Sequence, residues 1–202
     1  MKKNLLKELR GTKSQAEIAK EYANYGNVLY EICNEPTGSP WASAIKPYAE
    51  EVIPVIRQYA RDAVIIVGTN TWSQDVEEAK NNPLSVEKYG NIMYTFHFYA
   101  NSHKDDFRNR VENAIKGGLP VFITEFGTCD ASGNGGFNAD ESQKWFDLCA
   151  KYSISHLNWS LSNKGETASA IQSWCNKTSG WSESELTESG KLVRNHFKTL
   201  SR

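Results

Sequence analysis

Apolar residues in this chain gather into five short β-prone runs, each followed by a polar loop and then by apolar positions at helical spacing. The runs cover 28–34 (VLYEICN), 64–68 (VIIVG), 91–99 (NIMYTFHFY), 120–125 (PVFITE) and 156–161 (HLNWSL). The run 64–68 is apolar throughout and too short for a helix, which suits a strand buried on both faces. The helical period shows at 15–24, 41–60, 75–80, 105–116, 140–152 and 183–200. In the second of these it is carried by Ile45, Ala49, Val52, Ile53, Ile56 and Tyr59, with Pro47 and Pro54 as points where the helix can divide. Gly26 and the pair Gly117–Gly118 supply helix ends. Strand, loop and helix recur at roughly thirty-residue spacing, which predicts an α/β fold with a parallel sheet. No linker interrupts the pattern, and 202 residues suffice for one sizeable core.

In parallel βα folds, function gathers where the strands end and their loops begin. The polar exceptions in the pattern fall there. Glu35 closes the first run before Pro36, Trp72 follows the second, His97 and Tyr99 end the third, Glu125 ends the fourth before Gly127, and Trp159 lies in the fifth. Two carboxylates, each delivered by an apolar strand, are a candidate acid/base pair. With a His, a Tyr and two Trp beside them, they meet the needs of glycoside hydrolysis, in which one carboxyl protonates the leaving oxygen while the other attacks or activates water. Tyr99 is a candidate hydrogen-bond donor to the attacking carboxylate.

Composition narrows the choice. With 23 basic and 24 acidic residues and no dense charge run, nothing favours a nucleic-acid partner or an anionic membrane surface. Six Trp and nine Tyr can stack on sugar rings as well as fill a core. Cys33, Cys129, Cys149 and Cys175 have no CxxC spacing, so buried free thiols are expected rather than a zinc or redox motif, with a disulfide left open. No metal-ligand spacing is visible, and no metal or cofactor is expected. The opening MKKNLLKELRG is interrupted by charge before an apolar stretch can form, so neither a signal peptide nor a membrane helix is expected.

Asn34-Glu35-Pro36, Ile66-Val67-Gly68-Thr69 running to Trp72-Ser73-Gln74-Asp75, His97-Phe98-Tyr99, Thr124-Glu125-Phe126-Gly127 and Asn158-Trp159-Ser160, in this order and spacing, closely resemble glycoside hydrolase family 5, specifically its bacterial endo-β-1,4-glucanases (cellulases). The resemblance covers residues 20–200. It implies a partial (β/α)8 TIM barrel holding strands 4 to 8 and their helices, with 1–14 as an N-terminal extension and 15–202 as part of a catalytic domain. It also implies that Glu35 is the acid/base and Glu125 the nucleophile of a retaining mechanism on β-1,4-glucan. Asn34 would bind the sugar 2-hydroxyl, His97 and Tyr99 would line the cleavage subsite, Trp159 would lie under the sugar on the non-reducing side, and Trp72 would be the platform on the leaving-group side. His103, Lys164 and Glu166 match positions that contact sugar hydroxyls. Similar enzymes are secreted. The Arg and His that relatives carry on earlier strands have no counterpart here.

Three readings therefore stay open: an endoglucanase, a β-glucan-binding protein without turnover, and a mannanase or xyloglucanase of the same family. Five strands of an eight-stranded design leave the runs at 28–34 and 156–161 as edges, so a homo-oligomer, a dimer formed through those edges, is expected.

Overall fold

A computed structural model describes residues 13–200. The expected extension at 1–14 therefore lies, apart from its last two residues, outside the described residues. A helix, α1, runs through 13–21. Then follow β1 (Tyr30–Glu31), a π-helical turn (Trp41–Ile45) leading into α2 (Lys46–Arg57), β2 (Ile65–Val67) and a single turn, α3 (Asn70–Ser73). The chain continues through α4 (Val76–Asn81), α5 (Val86–Tyr89), β3 (Ile92–Tyr99), α6 (Asp105–Lys116) and β4 (Val121–Gly127). It closes with α7 (Ala139–Tyr152), β5 (His156–Asn158) and α8 (Glu188–Leu200). The strands form one sheet in the order β1-β2-β3-β4-β5, with β1–β2, β2–β3 and β4–β5 pairing parallel. Sequence order equals spatial order, the arrangement of a partial (β/α)8 fold. Among the described residues no helix is long and apolar enough to cross a membrane.

The chain divides into two compact units, Met1–Phe96 with Asn113–Phe122, and His97–Glu112 with Ile123–Arg202. In the first unit, α2 buries Ala49, Val52, Ile53 and Ile56, and β2 is wholly buried. Pro47 sits in the first turn of α2, where a missing N–H costs nothing, and Pro54 is carried inside the helix. The expected break thus falls where the π turn meets α2. At the end of α2, Arg57 donates to the carbonyls of Ala60, Ala63, Tyr89 and Asn91, satisfying the backbone just ahead of β2 and β3. Trp41 packs on Tyr94 and donates its indole N–H to Asn82 O at 2.8 Å.

The second unit is built on aromatic packing. Phe98 stacks on Trp145 with ring centroids 4.0 Å apart and on Phe126 at 5.3 Å. Helix α7 is capped by Asn138, whose side chain accepts from the Glu141 amide, and ends on Ser153 in the left-handed conformation. Helix α8 begins against the loop before it, since a Cβ on Gly190 would lie 2.0 Å from Ala170 O. All four cysteines are free thiols, and burial pushes the pKa of Cys33 and Cys149 up to about 12.

Two strands are no more than half as long as their apolar runs. The Val28 amide is taken by a turn to Tyr25 O, and the last backbone bond from β1 to β2 is Ile32 N–H to Ile66 O, so Glu35 lies beyond the strand rather than at its tip. In the fifth run, Ser160 and Ser162 exchange backbone bonds with Ala168, Ala170 and Ile171, which ends β5 at Asn158. The 183–200 helix is likewise a 3-10 turn (Glu183–Glu185) followed by α8.

Phe98 is fully buried between two ring faces. Phe98→Ala should lower stability by about 3–5 kcal/mol, measured as a fall in the urea midpoint.

Candidate active site

Asn34, Glu35 and Trp72 lie in the first unit. After Ile32 the chain leaves the sheet. It passes so close to the end of β2 that a Cβ on Gly68 would lie 2.4 Å from Cys33 O, so only glycine fits there. Asn34 is exposed and Glu35 half-buried. Thr71, Trp72 and Ser73 of α3 all have left-handed backbone, with φ of 56°, 54° and 58°. For side-chain-bearing residues this costs about 1–2 kcal/mol each, and it persists only where the surroundings enforce it. Here Ser73 N–H donates to Thr69 O at 3.1 Å and Thr71 Oγ1 to Asp75 Oδ2 at 2.6 Å. The Trp72 side chain emerges from this turn, and the residue is 54 % exposed.

His97, Tyr99, His103, Glu125, Trp159, Lys164 and Glu166 lie in the second unit. Along the end of β3, His97 is buried, with Nε2 2.9 Å from Thr124 Oγ1. Tyr99 donates its hydroxyl to Glu125 Oε1 at 2.7 Å, a bond that fixes the direction of the carboxyl group. Gly127, two residues after Glu125, makes room for the Tyr99 ring, because a Cβ there would lie 2.3 Å from the nearest ring carbon. The apolar run at 120–125 held no hint of that requirement, since it depends on the neighbouring strand.

His103 does not reach outward. It is buried under Tyr99, its Nδ1 accepting the Tyr99 amide at 2.9 Å, and desolvation with Arg110 nearby lowers its pKa to about 4. It is therefore a neutral imidazole that fixes the backbone of Tyr99. Trp159 is half exposed, and its backbone N–H donates to Phe126 O at 2.8 Å, which holds its main chain beside β4. Lys164 and Glu166 form an ion pair at 2.8 Å, with Lys164 well exposed and Glu166 mostly covered. Ser73, Thr124 and Gly127 belong to this support, and sequence reading passed over them as site residues. Their signal was position alone, each lying inside a motif quoted above for its other residues.

A family model described as Cellulase (glycosyl hydrolase family 5) matches residues 7–165. An endoglucanase of Clostridium saccharobutylicum is 52% identical over 179 residues, which cover 88% of this chain and 39% of that protein. Endoglucanase A of Evansella cellulosilytica is 47% identical over 184 residues, covering 90% of this chain and 37% of that protein. The chain thus spans about two fifths of the length of these relatives. Among solved structures, the catalytic domain of Thermobifida fusca endoglucanase Cel5A in complex with cellotetraose superposes with a TM-score of 0.88 at 42% identity, over 95% of this chain and 64% of that one.

Gly127→Ala should force the Tyr99 ring off Glu125 and destabilise the fold by about 1–3 kcal/mol. Thermal denaturation checks the second effect, and a changed Tyr99 ring signal in the NMR spectrum checks the first.

Proposed function

Because the chain belongs to the cellulase family, glycosyl hydrolase family 5, we propose that it is the working part of an endoglucanase that cleaves β-1,4-glucan by retaining double displacement. In the first step a carboxylate oxygen of Glu125 bonds to the anomeric carbon, the bond from that carbon to the leaving sugar oxygen breaks, and Glu35 gives its proton to that oxygen. In the second step Glu35 takes a proton from water, which attacks the anomeric carbon and releases Glu125. The observation that carries this reading is the 2.7 Å bond from Tyr99 to Glu125, which suits a nucleophile that must be aimed at one carbon.

The other side chains take supporting parts. Asn34 would bind the 2-hydroxyl, His97 and Tyr99 would line the cleavage subsite, and Trp159 and Trp72 would stack on sugars to either side of the scissile bond. Lys164 would present its ammonium, steadied by Glu166, to sugar hydroxyls, and His103 would act through Tyr99. The chemistry needs no metal or cofactor. Secretion is part of the same reading, since polymeric glucan cannot enter a cell.

Release of reducing sugar from carboxymethylcellulose tests the activity. Glu125→Ala should abolish turnover and regain part of it when azide is added as an outside nucleophile, whereas wild-type activity in that variant would sink the assignment. Retarded migration on glucan gels without sugar release would favour the binding-only reading, and faster cleavage of mannan or xyloglucan would move the substrate within the family.

For a chain of these 202 residues, β1 and β5 are the end strands of a parallel sheet and offer backbone edges for pairing. The proposal extends to a homodimer in which the last strand of one copy lies beside the first of the other. Light scattering at micromolar concentration should report twice the chain mass, and a compact, fully active monomer would refute it.

A further inference from the structure

We infer that Ser73 is a positioning residue for the acid carboxyl group: the left-handed turn Thr71–Ser73 brackets Glu35 and ties it to the exposed indole of Trp72. The inference rests on the function proposed above. Ser73 Oγ donates to Asn34 O at 2.7 Å. That carbonyl belongs to the same rigid peptide plane as the Glu35 N–H, so the bond fixes the backbone entering Glu35. The Trp72 N–H donates to Pro36 O at 3.3 Å, fixing the backbone on the far side. Two consecutive residues of one turn therefore hold the carbonyls that flank the acid.

Further features fit a bracket better than a chance contact. Ser73 is fully buried, and its hydroxyl has one proton to give. Asn34 O, at 2.7 Å, is nearer than the second acceptor, Thr69 O, at 3.5 Å. Gly68 allows Cys33 O to close against the end of β2, and a Cβ on it would lie 3.1 Å from Pro36 Cδ. The same turn is braced outward by Asn70 Oδ1, which accepts the Ser39 amide at 3.2 Å. Three successive side-chain-bearing residues in the left-handed region are the kind of local strain that persists where the surrounding structure demands one conformation.

The consequence is selective. Proton delivery to the leaving oxygen depends on where Glu35 sits, while attack by Glu125 is supported from a different strand by Tyr99. A small misplacement of Glu35 should therefore slow reactions that need the acid and spare those that do not. A sugar leaving group must be protonated as it departs, whereas a dinitrophenolate leaves without help.

The test compares Ser73→Ala with wild type on cellotetraose and on 2,4-dinitrophenyl β-cellobioside. The expected result is a loss of about 10- to 100-fold in kcat/KM on cellotetraose, and less than about threefold in kcat/KM on the activated substrate, which reports the first step alone and so does not include the base-assisted second step. Ser73→Thr, which keeps the hydroxyl, should recover most of the loss. Equal losses on both substrates, or no loss on either, would overturn the inference. Should the alanine variant fail to fold, Ser73→Cys keeps the size, weakens the bond and is held to the same split. If the wild-type chain cleaves neither substrate, the proposed function falls, and the bracket is read from the backbone amide NMR signals of Glu35 and Trp72. In Ser73→Ala both should shift while that of Trp159 stays, and unchanged Glu35 and Trp72 signals would overturn the bracket.

Discussion

Parallel strand pairing is the constraint from which the rest of this structure follows. Two parallel neighbours cannot be joined by a tight turn, so each strand must be followed by a crossover segment before the next can pair. Here the crossovers include α2, α6 and α7, and the sheet order repeats the order of the chain. Every strand tip therefore opens into a loop, and the loops are free to carry polar and strained residues because the middle strands β2 and β3 are dry. The unbroken burial of β2 and the nearly unbroken burial of β3 are the counterpart of that arrangement.

The two carboxylates are held in different ways. Glu125 lies within β4, so its backbone is fixed by the sheet, and its side chain is aimed by the Tyr99 hydroxyl. Glu35 lies four residues past β1, where no ladder reaches, and the carbonyls around it are held by the loop after β2. At Glu125 the carboxyl group itself is directed, whereas at Glu35 the backbone on either side is what is fixed.

The aromatic residues divide along similar lines. Trp41 and Trp145 are buried, with indole N–H groups bonded to Asn82 O and His103 O, whereas Trp72, Trp159 and Trp174 keep much of their surface in solvent. Buried indoles need a carbonyl partner and a shaped cavity, and exposed ones need neither. His103 is also buried: its ring accepts the Tyr99 amide and lies against Phe107.

By itself the sequence determined the βα rhythm, the parallel sheet, the two carboxylates and the family, because burial on both faces demands continuous apolar runs and chemistry at strand tips demands recognisable residues in order. It also placed α6 at 105–116, where periodicity and the glycine pair coincide. The tertiary structure decided where the ladders stop. β1 ends early because its following backbone bonds to a loop, and β5 ends because Ser160 and Ser162 find partners at 168–171. It decided as well which residues support the site. The hydroxyl of Ser73, the bare Cα of Gly127 and the imidazole of His103 matter through neighbours 39, 28 and 4 positions away. A pattern read along one strand reports which face is dry, and it carries no information about which atom of another segment comes within hydrogen-bond reach.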